Sequence, residues 1–331
     1  MKYGWDTKRI ISLLKSKTSR SDIVEMIKSS IKTPEDDLEI LRYDGMLLAS
    51  MPKLQEYLET FNDKGYEYKP TVVNKKNSYT KEDALTIAKE YYKYFDQGIY
   101  PIFEEIYAKR NQNLRFSKND RKFDSRTYVC PTTNEVLMSV NFKGDFRGVV
   151  NLVHEFSHAI GYTLCPYENR TGINDYFVEI ESTFHTLLFL DFFEKMMGQD
   201  EEITSERNKL INAAIKDSSS LENKYRVLAY FKEYIKTNQN QSLEGFKHYI
   251  KECTKISDED FDKATQISIS DDIPYLIGSY IGFELYHLFQ TNPTYAAFIY
   301  RNINTIYATS ISEYFNQIDI LDLSPGANIR A

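Results

Sequence analysis

The chain predicts a mainly α fold with a small antiparallel β-sheet beside one motif-bearing helix. Three observations carry that expectation. Beyond residue 146, apolar residues recur at three- and four-residue steps in segment after segment, which is the period of an amphipathic helix. One run, Val136-Leu137-Met138-Ser139-Val140-Asn141-Phe142, is apolar and β-branched instead and reads as a strand. Candidate helix starts carry capping chemistry at Thr33-Pro34-Glu35-Asp36, at Thr80-Lys81-Glu82-Asp83 and at Asp145.

Taken in order, residues 5–62 read as a set of helices. Residues 62–79, rich in Lys, Asn, Tyr and Gly with Pro70, read as a linker. The division expected is therefore a helical region with its linker over 1–79 and a second region over 80–331. A long helix runs from Thr80 through Tyr94, and a small β-region occupies about 122–142. Lys143-Gly144-Asp145 is a turn. The next helix starts at Phe146 and buries Val149, Val150, Val153, Phe156 and Ile160, with Gly161 near its end. Breaks between the later helices are expected near 161–174, 198–202, 217–220, 238–242 and 268–274. Residues 324–328 read as a frayed tail.

The 331 residues suffice for one large domain or two small ones. A net charge of −7 and a pI of about 5.5, with acids and bases interspersed, argue against nucleic acid or an anionic membrane as the main partner. Cys130, Cys165 and Cys253 are widely spaced and suggest no disulfide framework, which fits a reducing compartment. The first residues have no apolar signal-peptide core, and no apolar run approaches a membrane span, so a cytoplasmic protein is expected. Export without a cleaved signal stays open.

The chemistry concentrates at His154-Glu155-Phe156-Ser157-His158, an H-E-x-x-H motif that takes two of the chain's five histidines. On a helix, His154 and His158 share one face. Two imidazoles so placed can hold one zinc ion, and Glu155 beside it can take a proton from the metal's water. The bland alternative is a buried helix with two hydrogen-bonded core histidines.

A catalytic zinc takes three protein ligands. Position 161 is glycine, so the third ligand must come from further along the chain. Phe177, Ile180, Phe184, Leu187 and Leu188 mark a second, mostly buried helix, and Glu179 sits within it. A buried carboxylate is costly unless paired or metal-bound, which makes Glu179 the leading third ligand. Glu181 reads as a solvated acid or one behind the ligands. Asp175 reads as a helix cap or an acceptor for a ligating histidine. His185 reads as a core residue or one behind the ligands.

The segment from Val136 to Thr186 resembles the thimet oligopeptidase and oligoendopeptidase F family of zinc metallopeptidases. The likeness lies in the strand ending Asn141-Phe142, the glycine turn, the His154–His158 motif, and Phe177-Val178-Glu179-Ile180 followed by Ser182-Thr183. Ser125-Arg126-Thr127-Tyr128-Val129-Cys130 is similar to the family's first catalytic strand. Pro274-Tyr275-Leu276-Ile277-Gly278-Ser279-Tyr280-Ile281-Gly282 is similar to its tyrosine- and glycine-rich segment facing the metal. The resemblance covers roughly residues 80–331. Departures include Ser157 and Gly161, where the family usually has glycine and histidine, and Asp271-Asp272 in place of a histidine before Tyr275.

The resemblance implies a short member or relative of the family, with a multi-helix zincin-type fold and a catalytic domain over 80–331. It implies one Zn²⁺ per chain held by His154, His158 and Glu179, with Glu155 as general base. Tyr280 or Tyr275 would stabilise the oxyanion. The substrate would be a peptide or protein, lying as an added strand along Val136–Asn141. Two other readings stay open: a protease selective for one folded or host protein, and a non-catalytic helical binding module with structural zinc.

Overall fold

The structure is a computed structural model, and it describes residues 7–29, 78–95, 98–117, 125–166, 169–170, 177–198, 200–237, 242–265, 269–306, 313 and 317. The Thr33 helix start, most of the expected linker and the expected tail lie outside the described residues. The chain divides into two compact units, one of Met1–Lys53 with Asn212–Leu276, the other of Leu54–Ile211 with Ile277–Ala331. Neither is a continuous stretch of the chain.

In the first unit, α1 (Thr7–Lys15) and α2 (Arg20–Ser29) open the described chain. The second unit begins with α3 (Lys81–Phe95). Thr80 caps it as its sequence predicts. The Thr80 backbone N–H and hydroxyl donate to Asp83 Oδ2 at 2.8 and 2.7 Å, and the Asp83 N–H donates back to Thr80 Oγ1 at 3.1 Å. After α4 (Tyr100–Ala108) come the strands β1 (Leu114–Ser117), β2 (Arg126–Val129) and β3 (Val136–Asn141).

The sheet has the order β1-β3-β2. β2 pairs antiparallel with β3, Thr127 opposite Met138. β1 pairs parallel with β3, Leu114 opposite Met138. The antiparallel sheet expected is thus the β2–β3 hairpin, and β1 makes the whole sheet mixed. Leu114-Arg115-Phe116-Ser117 holds only two apolar residues, too few for an alternation to show. β3 is central and bonded on both sides. It is therefore not the edge strand expected along Val136–Asn141; among the described residues the edges of the sheet are β1 and β2. Val136, Met138 and Val140 turn one face of β3 into the core.

Gly144, at φ 84°, makes the turn into α5 (Phe146–Leu164). Asp145 is its N-cap, accepting from the Gly148 N–H at 2.9 Å. α5 packs against β3, against α3 and against α6 (Glu179–Met197). Every residue from Glu179 to Leu190 is buried, the mark of a helix enclosed on all sides. Aromatic rings fill the space around it. Tyr92 stacks on Phe103 at 4.5 Å, Phe103 meets Phe156 at 5.0 Å, and the Tyr92 hydroxyl donates to the Val153 carbonyl at 3.0 Å. His185 is a core residue: it is fully buried, its Nδ1 lies 2.7 Å from the Tyr91 hydroxyl, and burial lowers its pKa to about 3.

Beyond a short helix at Arg110–Asn113, the later helices among the described residues are α7 (Glu201–Thr237), α8 (Leu243–Thr254), α9 (Asp258–Ala264), α10 (Ile269–Thr291) and α11 (Pro293–Asn304). Two expected breaks do not occur. α7 runs through 217–220, because the few tenths of a kcal/mol by which each polar residue disfavours helix do not interrupt one already propagating. α10 begins at Ile269 and runs through Pro274, which forgoes one N–H bond to the carbonyl four residues earlier without ending the helix. Among the described residues no helix is long and apolar enough to cross a membrane.

Candidate metal centre

α5 presents His154 and His158 one turn apart, and the first turn of α6 brings Glu179 against both. The two imidazole Nε2 atoms are 3.2 Å apart. Glu179 Oε2 lies 3.5 Å from Nε2 of His154 and 3.6 Å from Nε2 of His158. Ligands at about 2.0–2.1 Å around a tetrahedral ion stand about 3.3–3.4 Å from one another. The three atoms therefore already outline one face of such a tetrahedron. Among the described residues this is the one group of three or more His, Cys, Asp or Glu side chains that could hold a metal ion. His158 and Glu179 are buried and His154 is partly exposed, so the centre is open on the His154 side.

Two hydroxyls hold the carboxylates, and neither was legible in the sequence as a functional group. The Ser182 hydroxyl donates to Glu179 Oε2 at 2.9 Å. The Thr127 hydroxyl, on β2, donates to Glu155 Oε2 at 2.6 Å. Thr127 sits on the face of β2 turned to α5, and only the alternation of that strand hinted at it. Glu155 is 3% exposed. Glu181 is not solvated; it is buried in the same first turn as Glu179. Asp175 lies outside the described residues. Tyr275 is 53% exposed and belongs to the other compact unit. Tyr280 lies in α10, and its side chain is outside what the structure describes.

Burial and mutual charge set the protonation of the metal-free site. Burial, with the charge of His158 added and Glu179 opposing, lowers the His154 pKa to about 4. Burial also pulls on His158, but Glu179, Glu181 and Glu155 outweigh it and raise that pKa to about 9. Burial raises Glu155 to about 7, against the pull of His158 and the Thr127 hydrogen bond. At pH 7 the metal-free site therefore holds its proton on His158. A metal needs that nitrogen's lone pair. Zinc binding at pH 7 is expected to expel about one proton from His158 and a fraction more from Glu155, so affinity climbs by about tenfold or more per pH unit around pH 7. Titration calorimetry in buffers of different ionisation heat measures this; binding with no proton release would overturn it.

Gly278 sets the distance between α10 and Glu179. A Cβ there would stand 2.4 Å from Glu179 Cβ and 2.5 Å from its carbonyl carbon, and neither atom can swing aside. Gly278→Ala is expected to push the two helices apart, destabilise the protein by about 1–3 kcal/mol and weaken metal retention. Thermal unfolding with metal analysis checks this; an unchanged midpoint and full retention would refute it.

No protein-family model and no curated protein matches the sequence. Among solved structures, the chain is similar to the crystal structure of a "putative peptidase" from Chlamydophila abortus, with a TM-score of 0.51 and 12% identity. The likeness covers 95% of this chain and 61% of that one, so the chain spans less than two thirds of its neighbour's length. At that identity the likeness is one of fold alone, a mostly helical one.

Proposed function

We propose that the chain is a zinc metallopeptidase related to the thimet oligopeptidase and oligoendopeptidase F family, hydrolysing peptide bonds. The observation that carries this reading is the convergence of His154, His158 and Glu179 at tetrahedral spacing with the buried Glu155 beside them. Two nitrogens and one carboxylate oxygen form the donor set of catalytic zinc in many hydrolases, leaving a position for water. The peptidase-like fold of the Chlamydophila abortus neighbour is in keeping with it.

His154, His158 and Glu179 would hold the ion. When bound, zinc acidifies water and polarises the scissile carbonyl. The rest falls to the chain's own side chains. Glu155 takes a proton from the attacking water and passes it to the leaving amine, so that water adds across the C–N bond. Thr127 holds one oxygen of that carboxylate and limits its swing. A tyrosine hydroxyl, Tyr280 or Tyr275 by resemblance, would donate to the oxyanion. β2 is an edge strand of the described sheet, the kind of place where an extended peptide adds as a further strand, and its Thr127 is hydrogen-bonded to Glu155.

Mass spectrometry of a proteome-derived peptide library tests the reading. New termini are expected with the zinc-loaded protein and not with Glu155→Gln. Stoichiometric zinc with no new termini would refute it in favour of a binding module.

A further inference from the structure

Glu181 is a buried acid that the proposed hydrolysis does not use. It is 4% exposed, and its Oε1 stands 3.8 Å from Nδ1 of His158. That Nδ1 is the outer nitrogen of a ring whose Nε2 faces His154 and Glu179, and it is buried without a hydrogen-bond partner. A carboxylate in such a place is unfavourable unless it meets a donor. A buried imidazole N–H is likewise unfavourable unless it meets an acceptor. Each of these two groups supplies what the other lacks.

Gly161 admits the acid. It follows His158 by three residues, on the same face of α5. A Cβ on Gly161 would stand 2.4 Å from Glu181 Oε1 and 3.0 Å from its Cδ. Any side chain at 161 would claim the space that the carboxylate occupies.

We propose that Glu181 is the positioning carboxylate of the metal centre, taking the Nδ1–H of His158 so that Nε2 stays turned to the metal, and that Gly161 is the space reserved for it. The proposal rests on the metal centre of the proposed function and not on the reaction. Histidines that bind metals generally hand their second N–H to a carboxylate or carbonyl, which fixes both tautomer and ring orientation. A small turn of either side chain closes 3.8 Å to hydrogen-bond length.

Zinc affinity of the full chain, measured by competition with a chromophoric chelator, is the test. Removing such an outer partner typically weakens metal binding about 10–100-fold. That loss is expected in Glu181→Ala and in Gly161→Ala, and a smaller one in Glu181→Gln, whose amide oxygen still accepts. The thermal midpoint of the metal-free protein should not fall in Glu181→Ala. The double variant should bind zinc no more weakly than Glu181→Ala, because the tightest approach of a Cβ at 161 is to Glu181, with Asn304 Oδ1 further off at 3.0 Å. Wild-type affinity in both Glu181 variants would overturn the proposal. So would a lowered metal-free midpoint with unchanged affinity, or losses that add in the double variant. If Gly161→Ala fails to fold, the Glu181 variants still decide. A wild type that binds zinc and cleaves no peptide would sink the hydrolase reading alone; one that binds no zinc would overturn both.

Discussion

Glu155→Gln is expected to keep its fold and its zinc and to lose peptide cleavage by about 10²–10⁴-fold, the usual contribution of a general acid–base group. The side chain is buried against β2, with Oε2 accepting from Thr127. Glutamine has nearly the same shape, and its amide oxygen can keep that hydrogen bond. It cannot accept the proton of the attacking water. The three ligand atoms belong to other residues, so metal stoichiometry should not change. Turnover on a cleaved peptide, zinc content and thermal midpoint together check the prediction. Loss of zinc would make Glu155 a ligand or a structural acid. Near-normal turnover would place the hydrolysis somewhere other than this motif.

Glu179→Ala is expected to lose the metal itself. The carboxylate contributes one of three ligand atoms and is held by Ser182 at 2.9 Å. Zinc held by about 10–16 kcal/mol would lose on the order of a third of that with one ligand of three, or about 10²–10⁴-fold in affinity. The two imidazoles that remain, 3.2 Å apart on one helix face, make a weak pair on their own. Elemental analysis after dialysis reads the outcome. Wild-type occupancy would falsify the ligand assignment and turn attention to Glu181, the other buried acid of the same helical turn.

Much of this site was legible in the chain because its geometry is local. The helix alone places His154 and His158 on one face, whatever packs around it. Asp145 and Thr80 cap their helices through partners three residues away, and the β2–β3 hairpin joins segments close in sequence. Glu179 needed one more step, that a carboxylate within an apolar helical pattern must find a positive partner. Interactions between distant segments could not be read in this way. β1 was missed because its parallel pairing depends on a strand more than twenty residues later, and β3 was taken for an edge strand for the same reason. Thr127, Ser182 and Gly278 look ordinary in sequence. Ser182 reaches Glu179 within one helical turn, whereas Thr127 and Gly278 acquire a role only because β2 and α10 approach α5 and α6 closely. Glu181 was read as a solvated acid or one behind the ligands, and its burial beside His158 depends on the space left by Gly161. The sequence by itself determined which side chains could bind a metal, because that is written in residue type and helical period. Apart from the Ser182–Glu179 hydrogen bond within one helical turn, tertiary structure decided how those side chains are held, because the Thr127–Glu155 hydrogen bond and the close approaches of Gly161 and Gly278 join atoms whose separation no local rule controls.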